Sequence, residues 1–268
     1  MSSTPTRNEL ARLLGFAVET AHIAGQHTLN YFRRDGLAVE RKGDDSPVTV
    51  ADRETEQLVR ERIEAAWPTH GIVGEEFGET RPDADMRWIV DPIDGTKSFI
   101  HGVPLYTVLL ALEADGEPIL GVVHCPPLDE TVAAARGLGC QWNGQPCHVS
   151  ARETIVGARI QTTDFGALAQ MRPQLCAHLL DASQFCRTWG DAFAYLLVAT
   201  GRAEVALDPE VNLWDTAALR PIVEEAGGRF TDLTGRATAH APTALATNGP
   251  LHQQVLDWAR LDDVSETD

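Results

Sequence analysis

Asp91 and Asp94 stand three residues apart in W-I-V-D-P-I-D-G-T-K-S-F, residues 88–99, and this segment carries the clearest chemistry of the chain. The apolar run Trp88-Ile89-Val90 reads as a strand that delivers both carboxylates to its end. Pro92 stiffens the turn, and Gly95 frees the backbone for close approach to a ligand. Carboxylates at this spacing can share hard, oxygen-seeking cations such as Mg²⁺. If Gly95 and Thr96 open a helix, their N–H groups make a phosphate cradle. A metal site and a phosphate site fused in one segment point to phosphoryl chemistry.

Three further acidic segments can join them. Glu75 and Glu76 end a short run before the motif, Asp52 stands at the start of a helical stretch, and Asp215 follows Trp214 at another. Each has a plain structural explanation: Asp52 and Asp215 as helix N-caps, Glu75-Glu76 as a solvated loop. Their combination with D-P-I-D-G-T favours a shared site. The chain presents no convincing nucleophile–base pair, and His101, two residues past Phe99, reads as an ordinary loop histidine rather than a general acid. Haloacid-dehalogenase-type phosphatases also carry a strand followed by Asp-Gly-Thr, but as D-x-D-G-T near the N-terminus. The spacing here is D-x-x-D-G-T, 90 residues in, so Asp91 and Asp94 cannot take those positions.

The elements that must position these groups follow from periodicity. Leu10, Leu13, Leu14, Ala17, Val18, Ala21 and Ala24 predict a helix over 8–32. A polar turn at 42–47 precedes a second helix over 52–66, which stops before Pro68. A short buried strand is expected over 71–76. Residues 106–113 and 119–124 read as antiparallel strands, followed by short strands at 131–135 and 139–142 with Asn143-Gly144 as a hairpin turn. Beyond residue 150 helices alternate with short strands. Strands are expected at 160–163 and 203–207, and helices at 166–180 despite Pro173, 191–200, 216–226 with a kink at Pro221, and 251–259. The fold class is α+β and layered, with an N-terminal half over 1–150 carrying most ligands and a C-terminal half over 151–268 completing the pocket.

With 268 residues, 43% of them hydrophobic and 23% charged, the chain has ordinary globular composition and room for a sizeable core. The longest largely apolar stretch, 103–112, has ten residues, too few for a bilayer. The polar residues 1–7 lack a signal-peptide core, so the chain reads as soluble and cytoplasmic. A net charge of −17 argues against nucleic-acid binding and suits a protein that collects divalent cations or cationic small molecules, although a merely soluble acidic surface accounts for most of that charge. Cysteines 125, 140, 147, 176 and 186 are odd in number and lack a C-x-x-C pair, as reduced thiols would be. Cys140, Cys147 and His148 lack the spacing of a zinc site.

Over nearly its whole length the chain resembles the inositol-monophosphatase-like family of Mg²⁺-dependent, lithium-sensitive phosphatases. The matching segments are G-E-E at 74–76, W-I-V-D-P-I-D-G-T at 88–96, W-D-T-A-A at 214–218 and E-A-G-G at 225–228. The resemblance implies alternating α-β-α-β-α layers and usually a homodimer. It implies that Glu75, Asp91 and the Ile93 carbonyl hold one Mg²⁺, and that Asp91, Asp94 and Asp215 hold a second. Glu75 would help place a third through water. It further implies that Thr96, hydrogen-bonded to Asp52, orients an attacking water with Glu75, and that Gly95 and Thr96 N–H groups hold the phosphate. Attack is direct and in line, without a phosphoenzyme.

The substrate question turns on Gly190-Asp191-Ala192-Phe193-Ala194-Tyr195 and Asp208-Pro209-Glu210. Inositol phosphatases place a small uncharged residue where Asp191 stands and a Glu where Asp208 stands. Two short carboxylates facing the ester group, beside Asp94 and Asp215, would suit a cationic alcohol better than a neutral polyol. Asp191 as a mere cap of the 191–200 helix is the competing reading. W-G-D-x-x-x-Y and the A-T-N-G-P-L-H run at 246–252 resemble the histidinol-phosphate phosphatase branch. That resemblance implies hydrolysis of L-histidinol phosphate. The alternatives are an inositol-1-phosphate or related sugar-phosphate phosphatase, then a 3′-phosphoadenosine 5′-phosphate phosphatase, then a non-catalytic phosphate- or metal-binding module. Lys42 and Lys97 are left without an assigned role.

Overall fold

A computed structural model of the chain describes residues 5–43 and 45–264. Residues 1–4 of the polar start and residue 44 of the expected 42–47 turn lie outside the described residues. Helix α1 (Arg7–Leu29) opens at Thr6, whose side chain accepts the Glu9 N–H while Glu9 reaches back to the Thr6 N–H. An antiparallel ribbon of β1 (Val39–Arg41) and β2 (Pro47–Thr49) leads into α2 (Val50–Ala66). Next come β3 (Gly71–Gly74), β4 (Gly78–Thr80), β5 (Met86–Asp94) and α3 (Thr96–Ile100). The meander of β6 (Thr107–Ala114), β7 (Glu117–Cys125), β8 (Glu130–Ala135), β9 (Gly139–Trp142) and β10 (Gln145–Pro146) follows. Its tight turns at Asp115-Gly116 and Asn143-Gly144 have positive φ at both residues, as two-residue hairpins require.

The remaining elements are β11 (Arg159–Gln161), α4 (Phe165–Met171), α5 (Pro173–Ala182), β12 (Phe185–Arg187), α6 (Asp191–Ala199), β13 (Val205–Asp208), α7 (Leu213–Thr216), α8 (Leu219–Glu225), β14 (Arg229–Thr231), β15 (Ala244–Thr247) and α9 (His252–Val264). The single helix expected over 166–180 is two. Pro173 drives Arg172 out of helical dihedrals, to φ −141° and ψ 64°, and so begins a new helix at its own N1 position. The helix expected over 216–226 starts earlier, and its hydrogen-bond ladder breaks at Ala217-Ala218. Pro221 has no N–H to donate to the Ala217 carbonyl, although both alanines keep helical dihedrals.

The strands form an eight-stranded sheet, order β10-β9-β8-β7-β6-β5-β3-β4, and a five-stranded sheet, order β12-β11-β13-β15-β14. Period-two alternation divides the first sheet between two cores. Trp88, Val90, Val108, Leu110 and Leu112 pack with Leu10, Leu13, Ala17, Val59 and Ile63 of α1 and α2. Ile89, Leu109, Ala111, Val123 and Val132 face the other way, onto α6 and α8, which the second sheet covers from behind through Ala206, Ala244 and Ala246. Val205, Leu207 and Leu245 then meet Leu175 and Leu179 of α5 and Val255 and Leu256 of α9. The layers are therefore α1/α2, eight-stranded sheet, α6/α8, five-stranded sheet, α5/α9. Among the described residues no helix is long and apolar enough to cross a membrane.

Candidate functional site

Strand β5 places the first two carboxylates. Its pairing with β6 is regular from Met86 to Asp91, then bulges before Asp94 pairs with Thr107. The bulge, with Pro92 inside it, turns both aspartates toward the end of the sheet. Gly95 follows at φ +82° and ψ 44°, a left-handed conformation that favours glycine, and α3 begins at Thr96. Glu75 is the first residue beyond β3, the parallel neighbour of β5, and its N–H donates to the Val90 carbonyl at 3.3 Å.

Asp215 arrives from the other half of the chain. It is the third residue of α7, not the N-cap. Asn212 is the cap, and its N–H donates to Asp215 Oδ2 at 2.6 Å while its side chain accepts the Asp215 N–H. Asp52 is also a third residue rather than a cap: Thr49 caps α2 and donates its N–H and Oγ1 to Asp52 Oδ2 at 2.8 and 2.7 Å. Both helices thus use a capping box to fix the rotamer of a site carboxylate. The N-x-x-D and T-x-x-D patterns carried that signal. Gly121 sets the position of α7 and α8 on the sheet, since a Cβ there would meet the Ala218 carbonyl oxygen at 2.0 Å.

Among the described residues, Asp91, Asp94 and Asp215 are the one group of acidic, His or Cys side chains whose candidate ligand atoms all lie within 4.8 Å of one another. Each keeps one oxygen bound to protein. Asp91 Oδ1 accepts the Ile93 N–H at 3.0 Å, and Asp94 Oδ2 accepts Thr107 Oγ1 at 2.9 Å and the Ala192 N–H at 2.7 Å. Glu75 lies beside Asp91, close enough that each carboxyl perturbs the other. Burial raises the pKa values of Glu75, Asp91 and Asp94; repulsion from neighbouring carboxylates adds to the rise in Asp91 and Asp94, whereas the Lys42 ammonium opposes it in Glu75. Burial first, and then neighbouring carboxylates, push Asp215 up to about 7. Buried like charges with hard oxygen donors are what a divalent cation relieves, so the residues fit the expected metal.

The other expected residues gather around this cluster. Thr96 Oγ1 lies 3.1 Å from the Ile93 carbonyl and 3.4 Å from Asp52 Oδ1, so its single proton has two acceptors within reach. Burial lifts Asp52 to about 6. Asp191 is the first residue of α6 and does not cap it; the N-cap is Gly190, with no side-chain cap bond. Asp191 holds φ +53°, rare for a non-glycine residue, and its N–H donates to Thr163 Oγ1 at 2.8 Å. Its carboxylate crosses above Gly95, where a Cβ would come within 2.7 Å of Asp191 Oδ2. Burial raises Asp191, and the Lys97 ammonium opposes that rise. Asp208 is fully engaged: Oδ1 accepts the Thr163 N–H at 2.7 Å and Thr162 Oγ1 at 3.3 Å, and Oδ2 accepts the Tyr195 hydroxyl at 2.9 Å.

A cleft of about 490 Å³ exposes Glu75, Asp91, Asp94, Thr96, Asp191 and Asp215 together. Lys97 and Glu210 also line it. A second cavity of about 390 Å³, between Leu13, Trp67, His70 and Met86, contains none of these carboxylates. His101 bonds its own helix, Nδ1 to the Lys97 carbonyl at 2.8 Å, as a loop histidine does. All five cysteines are free, and Cys140 and Cys147 face each other at 3.5 Å between sulfurs. Thr107, Asn212 and Tyr195 were not assigned from sequence as supports of the site.

A sequence profile of the inositol monophosphatase family matches residues 9–264. The chain is 47% identical to the histidinol-phosphatase of Chlorobaculum parvum over 227 residues, 83% of this chain and 86% of that protein. It is 40% identical to the histidinol-phosphatase of Mycobacterium tuberculosis over 249 residues, covering 91% and 96%. The crystal structure of extragenic suppressor protein suhB from Bartonella henselae superposes with a TM-score of 0.88 at 29% identity, covering 93% of this chain and 98% of that one.

Proposed function

The chain belongs to the inositol monophosphatase family, and we propose that within it the chain is the phosphomonoesterase that releases phosphate from L-histidinol phosphate, a step of histidine biosynthesis. The observation that carries the substrate is identity of 47% and 40%, across most of the chain, to proteins named histidinol-phosphatase. The acidic cleft supports it, because Asp191 and Glu210 line it beside the clustered carboxylates and suit an alcohol bearing an ammonium and an imidazole.

In this reading Glu75, Asp91, the Ile93 carbonyl, Asp94 and Asp215 hold two or three Mg²⁺. Bound there, the cations supply Lewis-acid activation of water and neutralise charge at the ester. Glu75 and Thr96 orient the attacking water, with Asp52 behind Thr96 as the second acceptor that fixes its hydroxyl. The Gly95 and Thr96 N–H groups hold phosphate oxygens at the start of α3. Asp94 and Asp215 face the substrate from below, Asp191 faces its cationic alcohol, and Asp208 shapes that wall through Tyr195 and Thr163. Residues 1–150 contribute most ligands and 151–268 the rest of the pocket. A cytoplasmic homodimer completes the proposal.

Phosphate release measured side by side with Mg²⁺ tests it. Histidinol phosphate is expected to give the highest kcat/KM, above inositol-1-phosphate and 3′-phosphoadenosine 5′-phosphate. A higher value for inositol-1-phosphate would establish the alternative sugar-phosphate reading.

A further inference from the structure

Lys42 was left unassigned by sequence, yet it makes the one ion pair, among the described residues, to any of Glu75, Asp91, Asp94 and Asp215. Its Nζ donates to Glu75 Oε1 at 2.7 Å and to Glu76 Oε1 at 2.6 Å. The two acceptors differ in their surroundings. Glu75 turns into the cluster against Asp91. Glu76 is fixed on α2, because its N–H donates to Glu56 Oε2 at 2.6 Å and the Phe77 N–H to Glu56 Oε1 at 3.2 Å. Glu56 is itself buried and paired with Arg60 at 2.7 Å, and it fits there because Gly74 has no Cβ to meet Glu56 Oε1 at 2.0 Å. Lys42 comes from the β1–β2 turn, where its N–H donates to the Ser46 carbonyl and its carbonyl accepts the Asp45 N–H. One half-buried ammonium is thus shared between a site carboxylate and a carboxylate outside the site.

We infer that Lys42 is a resident counter-ion for Glu75, displaced from that carboxylate by a divalent cation and retained at the rim of the site by Glu76. The inference rests on the reading of Glu75 as a metal ligand. Lys42 keeps Glu75 extended and paired beside other buried acids, so the carboxylate does not have to be rebuilt when the cation arrives. The same positive charge competes with that cation. Glu76 moderates the competition, since it offers Lys42 a second partner of equal geometry. Lys42 is therefore a positioning residue that sets metal affinity, and Glu76 tunes it.

The two residues predict shifts of opposite sign, which a merely structural role would not give. Calorimetric titration of Mg²⁺ into the chelator-treated full chain, without substrate, reads them directly. Lys42→Gln is expected to bind Mg²⁺ about tenfold tighter, the effect of removing a unit charge a few ångströms from a divalent ion in a wet site. Lys42→Arg keeps the charge and is expected to match the wild type. Glu76→Gln leaves Lys42 on Glu75 alone and is expected to weaken binding several-fold. Unchanged or weaker binding in a folded Lys42→Gln overturns the inference. Should that variant not fold, unchanged or tighter binding by Glu76→Gln overturns it instead. No Mg²⁺ uptake by the wild type sinks the metal reading beneath, and this inference with it.

Discussion

Asp94 accepts both Thr107 Oγ1 and the Ala192 N–H on Oδ2, within the group it forms with Asp91 and Asp215. Asp91 and Asp215 likewise each give one oxygen to a backbone N–H. Side chains locked by such bonds make ligands that need little rearrangement. Asp94→Asn keeps both protein hydrogen bonds through its amide oxygen but removes a charge from the cluster. It is expected to fold with near-native thermal stability and to lose about a hundredfold or more in kcat; substantial turnover at saturating Mg²⁺ would contradict its assignment. Asp191→Asn is expected to raise KM for histidinol phosphate much more than for inositol-1-phosphate, and equal effects on both would remove its role in reading the cation. At this scale the sequence was most legible where the grouped carboxylates are close neighbours, as in D-P-I-D-G-T. Lys42 was not legible, because its partner Glu75 lies 33 residues away and is reached by a turn.

The elements act as arms that bring single residues to the end of β5. Capping boxes at Thr49 and Asn212 make α2 and α7 such arms, since the residue that closes each box, Asp52 or Asp215, is also the one delivered. The arm bearing Asp215 is set against the sheet by Gly121, beneath the Ala218 carbonyl. Gly121→Val is therefore expected to lower stability by about 1–3 kcal/mol through overpacking and to weaken Mg²⁺ binding as Asp215 shifts. Chemical denaturation and metal titration check the two effects separately, and native metal affinity in this variant would show that α7 is positioned some other way. The long amphipathic helices and the β6–β7 meander were readable from period and turn chemistry. The short strands β12, β14 and β15 were not, since R-F-T and A-L-A-T have no pattern that distinguishes a three- or four-residue strand from a loop. Tertiary pairing with β13 makes β15 a strand.

The whole molecule joins two sheets through the α6/α8 layer, and the acidic site draws on residues up to 140 positions apart, Glu75 and Asp215. Buried acids of this kind oppose folding when ionised. An unfolded Asp titrates near 3.9, whereas burial first, and then neighbouring carboxylates, lift Asp215 to about 7 and Asp52 to about 6. The stability each gives is full below the unfolded value and is lost as pH rises through the folded one. Chelator-treated protein is expected to lose melting temperature between about pH 4 and about pH 7, and saturating Mg²⁺ to flatten that decline by pairing the charges. A melting temperature that rises over this interval without metal would contradict the burial argument. A layered α+β fold could be anticipated from the order of elements and its alternation from the family resemblance, but which face of β5 meets α6 depends on contacts between residues far apart in sequence.

Anomalous diffraction at the manganese edge from crystals soaked in Mn²⁺ tests the metal reading most directly. The account predicts at least two peaks bounded by Glu75, Asp91, Asp94 and Asp215, with Lys42 withdrawn from Glu75 and still on Glu76. An empty cluster, in crystals of protein that hydrolyses histidinol phosphate with the same metal, would contradict it.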